Sequence, residues 1–215
     1  MKVKKTSKIM NMKIILLTLL ILNTILSSAQ SFINKSINFD GLTREYSIYI
    51  PSGYDGTSSY PLLFNFHGGN QDIASQQFIS DMRPIADTAN FIIVYPQARI
   101  DPSDGNSRNW LPKSPGTFDD VPFVSLLIDS IASNYLINQN RIYACGYSLG
   151  GDFTFELACK LSNKIAAIGV VARTMQANPE SFCTPSHPTG VITILGTSDN
   201  ESLYDGITFN GIEYY

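Results

Sequence analysis

The chain has 215 residues, of which 44% are hydrophobic, 11% aromatic and 15% charged. This length suffices for one domain with a sizeable core, and the composition excludes both a disordered protein and one that crosses a membrane several times. With 15 Lys and Arg against 18 Asp and Glu, the formal net charge is −3 at neutral pH.

The first 29 residues have the pattern of a secretory signal peptide. An apolar run over residues 14–26 leads into Ser27-Ser28-Ala29. Five lysines come before this run: Lys2, Lys4, Lys5, Lys8 and Lys13. A membrane anchor is the alternative, but the run of about 13 residues is shorter than the roughly 20 that span a bilayer. Cleavage near Ala29 would leave 10 basic against 18 acidic residues, a net charge of −8. We therefore expect a secreted, extracellular or periplasmic protein with no nucleic-acid partner, which contacts membrane only through this segment.

Residues 30–215 are predicted to form one domain in which strands and helices alternate. The runs that indicate strands cover residues 31–39, 42–50, 62–66, 91–95, 141–145, 166–171 and 191–195. Helical patterns cover residues 73–89 with a break near Pro84, 121–135 and 149–161. The first two strands flank Asp40-Gly41, which is a strong hairpin signal. This order predicts a mostly parallel α/β sheet with an N-terminal antiparallel hairpin and helices on both faces.

The run Gly146-Tyr147-Ser148-Leu149-Gly150 fits the pattern G-x-S-x-G, which is weak by itself. Here a predicted strand ends at Cys145 and a helix begins at Leu149, which is the strand-turn-helix context of a nucleophilic serine. Glycines leave room where the backbones of such a turn crowd, and the helix N-terminus stabilises nearby negative charge. We predict that Ser148 is the nucleophile; an ordinary serine in a glycine turn is the alternative.

Two further segments carry groups that a serine hydrolase needs. His67-Gly68-Gly69 follows a buried strand, and such a loop gives a backbone N–H to the oxyanion hole, with a second N–H from Leu149. His67 is expected to shape this loop or to pack in the core, and not to act as general base. Asp199 lies just past the strand 191–195, which is predicted to be buried. A carboxylate there would orient a catalytic imidazolium, although a surface aspartate in a turn fits the pattern equally well.

Cysteine and histidine usage indicates a disulfide and no metal site. Cys145 lies inside a predicted buried strand and is the expected free thiol, so Cys159 and Cys183 form the candidate pair in an oxidising compartment. The sequence has no CxxC and no histidine-rich spacing. We expect neither a metal nor an organic cofactor, and we expect a monomer.

Several motifs in a fixed order resemble the secreted polyhydroxybutyrate depolymerase and feruloyl esterase-type family. The matching stretches are His67–Gln71, Asp119–Phe123, Arg141–Gly151, Leu157–Cys159, Gly196–Asp199 and Tyr204–Gly206. The resemblance runs from about Tyr46 to about Gly206, and it implies an α/β-hydrolase fold with Ser148 as nucleophile and Asp199 as triad acid. It also implies a serine carboxylic-ester hydrolase that acts on a polyester or on feruloyl or acetyl esters of polysaccharide.

The histidine that this family places after the acid, near the C-terminus, has no counterpart in this sequence. The chain has two histidines, and both His67 and His187 precede Asp199. Without a base, the serine hydroxyl stays protonated and is a poor nucleophile. We interpret the α/β-hydrolase domain as lacking its C-terminal part, and we expect these 215 residues alone to be nearly inactive. His187 is expected in a solvated loop away from the site.

Two other functions stay open. A non-catalytic polymer- or carbohydrate-binding protein on a hydrolase scaffold would explain the missing histidine, and a secreted serine peptidase would share the triad chemistry. The long loop over residues 97–118 is a candidate functional segment because loops of this length are uncommon in compact domains. Its Trp110 would line an acyl or aryl pocket in one interpretation and cap the core in the other.

Overall fold

The computed structural model describes residues 31–102, 105–110, 119–181, 183–209 and 211–214, and the predicted signal peptide lies outside them. The strands are β1 (Ile33–Phe39), β2 (Leu42–Tyr49), β3 (Tyr60–Phe66), β4 (Ile92–Pro96), β5 (Ile100–Asp101), β6 (Ser107–Arg108), β7 (Ile137–Tyr147), β8 (Ala167–Val171), β9 (Gly190–Ile194), β10 (Ile207–Phe209) and β11 (Ile212–Tyr214). The helices are α1 (Ile73–Ile79), α2 (Arg83–Ala89), α3 (Val121–Asn134) and α4 (Leu149–Lys160). Within the described ranges, no helix is long and apolar enough to cross a membrane.

Seven strands form one sheet in the order β1-β2-β4-β3-β7-β8-β9. The pairs β1-β2 and β2-β4 are antiparallel, and the remaining four pairs are parallel. Parallel neighbours need a crossover connection, and α1 to α4 lie in the connections that join β3 to β4, β4 to β7 and β7 to β8. The predicted mostly parallel sheet with an antiparallel N-terminal hairpin is confirmed.

Local signals in the sequence account for two features of this architecture. Asp40 and Gly41 join β1 to β2 with φ angles of 52° and 72°, which is the pair of left-handed residues that a tight hairpin turn requires. The helical run over residues 73–89 is divided into α1 and α2, and Pro84 lies in the first turn of α2. Proline is tolerated there because the first N–H groups of a helix have no intrahelical partner.

Hydrophobic side chains alternate between the two faces of the sheet. On one face, Phe64 and Ile142 are buried in a large cluster with α3 residues such as Leu127. On the other face, Tyr95 is buried in a smaller cluster with Ala86 of α2. Each fully buried side chain of this size contributes roughly 1.5–3 kcal/mol, so both helix layers hold the sheet in place.

The predicted burial of the strand 191–195 is wrong. Val191, Ile192 and Ile194 of β9 are 56%, 61% and 58% exposed. β9 pairs with β8 on one side, and the described residues place no strand on its other side. An apolar run predicts burial only when neighbouring elements cover it, and β9 is an edge strand.

A disulfide joins Cys159 in the last turns of α4 to Cys183, with the two Cα atoms 5.0 Å apart. Cys145 of β7 is a free thiol. Both assignments confirm the predictions. The disulfide fixes the C-terminal end of α4 to the segment that leads into β9, so it ties together two elements that flank β8.

Candidate active site

Ser148 joins β7 directly to α4 in a backbone conformation that few non-glycine residues adopt. Its φ is 53° and its ψ is −119°, outside the regions that side chains usually allow. The Ser148 N–H donates to the carbonyl of Val171 (2.9 Å), and the Ser148 carbonyl accepts from the Asp152 N–H (3.0 Å). A conformation of this kind costs about 1–3 kcal/mol and persists because its surroundings impose it. The turn has the form of a nucleophile elbow.

The glycines on both sides of Ser148 are required by close backbone contacts. A Cβ on Gly146 would lie 2.2 Å from the carbonyl oxygen of Gly150. A Cβ on Gly150 would lie 2.3 Å from the carbonyl oxygen of Phe66 and 2.5 Å from that of His67. Backbone atoms cannot give way as flexible side chains do, so only glycine fits at these two positions. The second contact also places the end of β3 directly against the elbow.

The loop His67-Gly68-Gly69 therefore lies beside Leu149, the residue that follows Ser148. A Cβ on Gly69 would lie 2.6 Å from Cδ1 of Leu149, so the backbone of Gly69 contacts the start of α4. The loop is tied down further on, because the Asn70 N–H donates to the Arg108 carbonyl (2.9 Å). The sequence predicted that these segments meet, and the structure brings them together.

The hydrogen bonds of the loop distinguish its two glycines as candidate oxyanion donors. The Gly68 N–H already donates to Oε1 of Gln71 (2.9 Å). The Gly69 N–H has no hydrogen-bond partner among the described residues. The Leu149 N–H belongs to the first turn of α4, where intrahelical acceptors are lacking. Of the predicted residues His67, Gly68, Gly69 and Leu149, the last two have the N–H groups that are available to an oxyanion.

His67 is a buried, neutral residue that shapes the loop. Its ring is fully buried, and this burial lowers its pKa to about 4. Nε2 must accept, because the Ala98 backbone N–H donates to it (3.1 Å). Nδ1 therefore carries the proton and donates to the carbonyl of Gly68 (2.7 Å). A ring with both nitrogens engaged in this way does not serve as the base for Ser148.

Trp110 caps the core beneath the loop. Its side chain is 3% exposed, stacks on Phe153 of α4 at 5.1 Å, and donates from Nε1 to the carbonyl of His67 (2.8 Å). Of the two interpretations of Trp110, the structure therefore supports the core position. The surrounding residues 103–104 and 111–118 lie outside the described part of the chain.

Asp199 lies five positions beyond the end of β9, at the same edge of the sheet as Ser148. Its Oδ1 accepts from the backbone N–H groups of Glu201 (2.8 Å) and Ser202 (2.9 Å). These hydrogen bonds lower the pKa of the carboxyl group, so it is ionised at neutral pH. Oδ2 has no hydrogen-bond partner among the described residues, which leaves it available to orient an imidazole.

Ser202 is a supporting residue that sequence reasoning missed. It is 4% exposed, and its hydroxyl donates to the carbonyl of Ala172 (3.0 Å). Ala172 follows Val171, whose carbonyl receives the N–H of Ser148. The loop of Asp199 is thereby linked through β8 to the elbow. The only signal in the sequence was the spacing of three residues from Asp199, which is common in turns.

His187 lies at the opposite edge of the sheet. It precedes Gly190, the first residue of β9, and the parallel register places Gly190 beside Ala167 at the start of β8. Ser148 follows Tyr147, which pairs with Val171 at the end of β8. The start and the end of β8 are four residues apart, which is roughly 13 Å along the strand, and His187 and Ser148 lie near these opposite ends. His187 is exposed, as predicted. Among the described residues, no cluster of three or more His, Cys, Asp or Glu is arranged to hold a metal ion.

A family model described as "Esterase PHB depolymerase" matches residues 44–186, about two thirds of the chain. Among curated proteins, a bifunctional acetylxylan esterase/xylanase of Neocallimastix patriciarum is 30% identical over 81% of this chain and 24% of its own length. Feruloyl esterase B of Piromyces equi is 29% identical over 76% of this chain and 30% of its own length. A probable feruloyl esterase C of Aspergillus clavatus is 27% identical over 82% of this chain and 61% of its own length. The chain thus spans between a quarter and three fifths of the length of these relatives.

Solved structures of esterases share the fold. A ferulic acid esterase from Anaeromyces mucronatus, solved in complex with ferulic acid, has a TM-score of 0.59 at 16% identity and covers 80% of this chain and 74% of its own. A thermostable esterase has a TM-score of 0.61 at 17% identity and covers 81% of this chain and 48% of its own. These likenesses support the α/β-hydrolase fold that the resemblance implied.

Proposed function

We propose that this chain, which belongs to the Esterase PHB depolymerase family, is a serine carboxylic-ester hydrolase that works through an acyl-enzyme. The observation that carries the proposal is the position of Ser148, on its strained turn, beside the available N–H groups of Gly69 and Leu149. Acyl transfer to a serine needs an exposed nucleophile and donors that stabilise the charge that develops on the carbonyl oxygen.

In the proposed reaction, the Ser148 hydroxyl oxygen attacks the ester carbonyl carbon, and the carbonyl oxygen becomes an oxyanion. The N–H groups of Gly69 and Leu149 donate to this oxyanion; one such donor is typically worth about 10²–10³ in rate. Collapse of the intermediate breaks the bond to the alcohol oxygen, and the alcohol leaves with a proton. Water then attacks the acyl-enzyme, which releases the carboxylic acid and restores Ser148.

The proton of Ser148 needs an acceptor, and neither histidine of the 215 residues is one. His67 is held by two hydrogen bonds within the loop, and His187 lies at the far edge of the sheet. Asp199 has the position and charge of a residue that orients an imidazole. We therefore propose that the 215 residues alone turn over esters slowly, for lack of a base and not for lack of the other groups.

The substrate class that we propose is a feruloyl or acetyl ester of plant polysaccharide. The curated relatives are named as feruloyl and acetylxylan esterases, while the family name also includes polyester depolymerisation. We further propose that the protein is secreted. The Cys159–Cys183 disulfide supports this localisation, because disulfides persist in oxidising compartments.

Chemical rescue with imidazole tests the proposal. Hydrolysis of p-nitrophenyl acetate is measured with increasing imidazole, and the rate with Ser148→Ala is subtracted to remove catalysis by free imidazole. A Ser148-dependent rate that rises about tenfold or more is expected, because a positioned base contributes about 10²–10⁴-fold and a free one supplies part of this. His187→Gln is the matched control and should leave the rescued rate unchanged. Methyl ferulate and a short hydroxybutyrate oligomer then compare the substrate classes.

The second candidate is a non-catalytic protein that binds polymers or carbohydrate on a hydrolase scaffold. The observation that favours it is that no histidine of the described residues faces Ser148. Under this alternative, imidazole yields no Ser148-dependent rate, and a fluorophosphonate probe leaves Ser148 unlabelled. Gly146 and Gly150 support the hydrolase instead. The close backbone contacts that require glycine at these two positions are those of the elbow, and a binding protein has no need of an elbow.

A further inference from the structure

A buried polar network leads from the body of the sheet to the oxyanion loop, and Gln97 is its centre. Gln97 follows β4 and is 7% exposed. Its Oε1 accepts from the Ile73 backbone N–H (3.1 Å), and its Nε2 is 2.9 Å from Nε2 of His67. Because a backbone N–H can only donate, the Ile73 contact fixes the orientation of the amide. The Gln97 Nε2 group is therefore a donor aimed at the ring of His67.

We propose that Gln97 is a positioning residue, which together with the Ala98 N–H holds the neutral Nδ1–H form of His67 and thereby aims the Gly69 N–H at the oxyanion. The proposal rests on the function given above. Two donors, from Gln97 and from the Ala98 backbone, converge on Nε2 of His67 and exclude a proton there. The proton is thus confined to Nδ1, from which it is donated to the Gly68 carbonyl.

The bond from His67 to Gly68 sets the direction of the next N–H group. The peptide between Gly68 and Gly69 is trans, like all described peptides, and the C=O and N–H of a trans peptide point in opposite directions. When the Gly68 carbonyl is turned toward the buried ring, the Gly69 N–H is turned away from it. The Cα of Gly69 lies close to the side chain of Leu149, and the N–H of Leu149 is the second donor.

The backbone of Gln97 is itself held by two neighbouring residues of β2. Its carbonyl accepts from Nη2 of Arg44 in β2 (3.2 Å), and its N–H donates to the Glu45 carbonyl (2.9 Å). Arg44 pairs with Asp120 at 2.8 Å, and their side chains are 5% and 1% exposed. A donor on a well-packed, hydrogen-bonded support holds the geometry that a catalytic group needs. The buried pair thus anchors Gln97 from the side of α3.

Two substitutions at Gln97 distinguish positioning from general packing. Gln97→Glu keeps the shape but presents a carboxylate to Nε2 of His67, which draws a proton onto that nitrogen and opposes the Ala98 N–H. Gln97→Met removes the donor without adding charge, so the Ala98 N–H alone still maintains the Nδ1–H form. A residue needed only for packing would tolerate the isosteric Glu at least as well as Met. The positioning role predicts the reverse order.

The experiment combines NMR of ¹⁵N-labelled protein with imidazole-rescued kinetics. At neutral pH, His67 of the wild type and of Gln97→Met should be protonated on Nδ1 alone, whereas Gln97→Glu should be protonated on both nitrogens and shift the Gly69 amide resonance. The Ser148-dependent kcat should fall about tenfold or more in Gln97→Glu with KM within about twofold, and about threefold or less in Gln97→Met. Gln76→Glu, at a buried glutamine that bonds Asn65 instead of His67, is the matched control and should retain the wild-type ring and rate.

Several results would overturn the positioning role. If NMR of the wild type shows the proton of His67 on Nε2, the positioning role is overturned, whether or not the variants fold. Equal losses of rate in Gln97→Glu and Gln97→Met would also overturn it. So would a Gly69 amide resonance that is unchanged in Gln97→Glu. The absence of any Ser148-dependent rate in the wild type contradicts the proposed hydrolase instead, and the NMR results then decide on their own whether Gln97 orients the loop.

Discussion

The buried ring of His67 gives the stability of the fold a specific dependence on pH. Burial lowers the pKa of His67 from 6.5 to about 4, the nearby charge of Asp72 opposes this shift, and that of Arg108 adds to it. Between these two pKa values the unfolded chain binds a proton that the folded chain does not. The free energy of unfolding therefore falls as the pH decreases from about 6.5 to 4, and His67 has no further effect below that range.

The size of this effect follows from the two pKa values. One pKa unit corresponds to about 1.4 kcal/mol, so the shift of His67 to about 4 removes about 2–3 kcal/mol of stability between pH 7 and pH 4.5. Urea unfolding at a series of pH values measures it in the wild type and in His67→Asn. Asparagine keeps a donor for the Gly68 carbonyl but does not titrate. The variant should be less stable than the wild type at pH 7. Between pH 7 and pH 4.5, its free energy of unfolding should fall by about 2–3 kcal/mol less than that of the wild type.

Carboxylates with lowered pKa values also reduce the free energy of unfolding in acid. They are the same in the wild type and in His67→Asn, so their effect cancels in the difference between the two proteins. The substitution His187→Asn measures the contribution of the other histidine. Parallel stability curves for wild type and His67→Asn over this pH range would refute the reasoning, because they would mean that the ring is protonated in the folded protein or is exposed there.

Two further predictions concern stability. Gly146→Ala places a Cβ 2.2 Å from the carbonyl oxygen of Gly150 and should destabilise by about 3 kcal/mol or more, seen as a lower Tm. Gly169→Ala in β8, whose Cβ would be 3.4 Å from its nearest neighbour, is the control and should leave Tm within a few degrees. Cys159→Ala removes the disulfide to Cys183, which closes a loop of 24 residues, and should cost about 3 kcal/mol; an equal Tm for wild type and Cys159→Ala under oxidising conditions would contradict this.

Sequence reasoning located the parts of the site that short-range geometry dictates. The spacing of Gly146, Ser148 and Gly150 is tied to backbone contacts within one turn, so the pattern and the structure carry the same information. The hairpin at Asp40-Gly41 is local in the same sense. Asp199 follows a predicted strand, and the carboxyl ends of parallel strands meet at one edge of a sheet, so the sequence alone associates it with the edge at which Ser148 lies.

The remaining features depend on contacts between distant residues. Which glycine of the loop His67-Gly68-Gly69 has an available N–H depends on the side chain of Gln71, and the motif alone does not reveal this. Arg44 pairs with Asp120, which lies 76 residues further along the chain, and the sequence indicated only that Asp120 directly precedes the predicted helix over residues 121–135. The exposure of β9 depends on which elements flank it, and an apolar run such as Val191–Ile194 has the same composition in either case.

The hydrogen bonds around the elbow also set the order in which the site is completed during synthesis. The Ser148 N–H needs the Val171 carbonyl, the Ala172 N–H needs that of Ile194, and Asp199 follows about 50 residues after the serine. At about 5–20 residues per second, a ribosome takes about 3–10 s to cover this distance. Ser148 is thus synthesised several seconds before the strands that hold its turn, so the strained conformation of Ser148 forms only after β8 and β9 have been made.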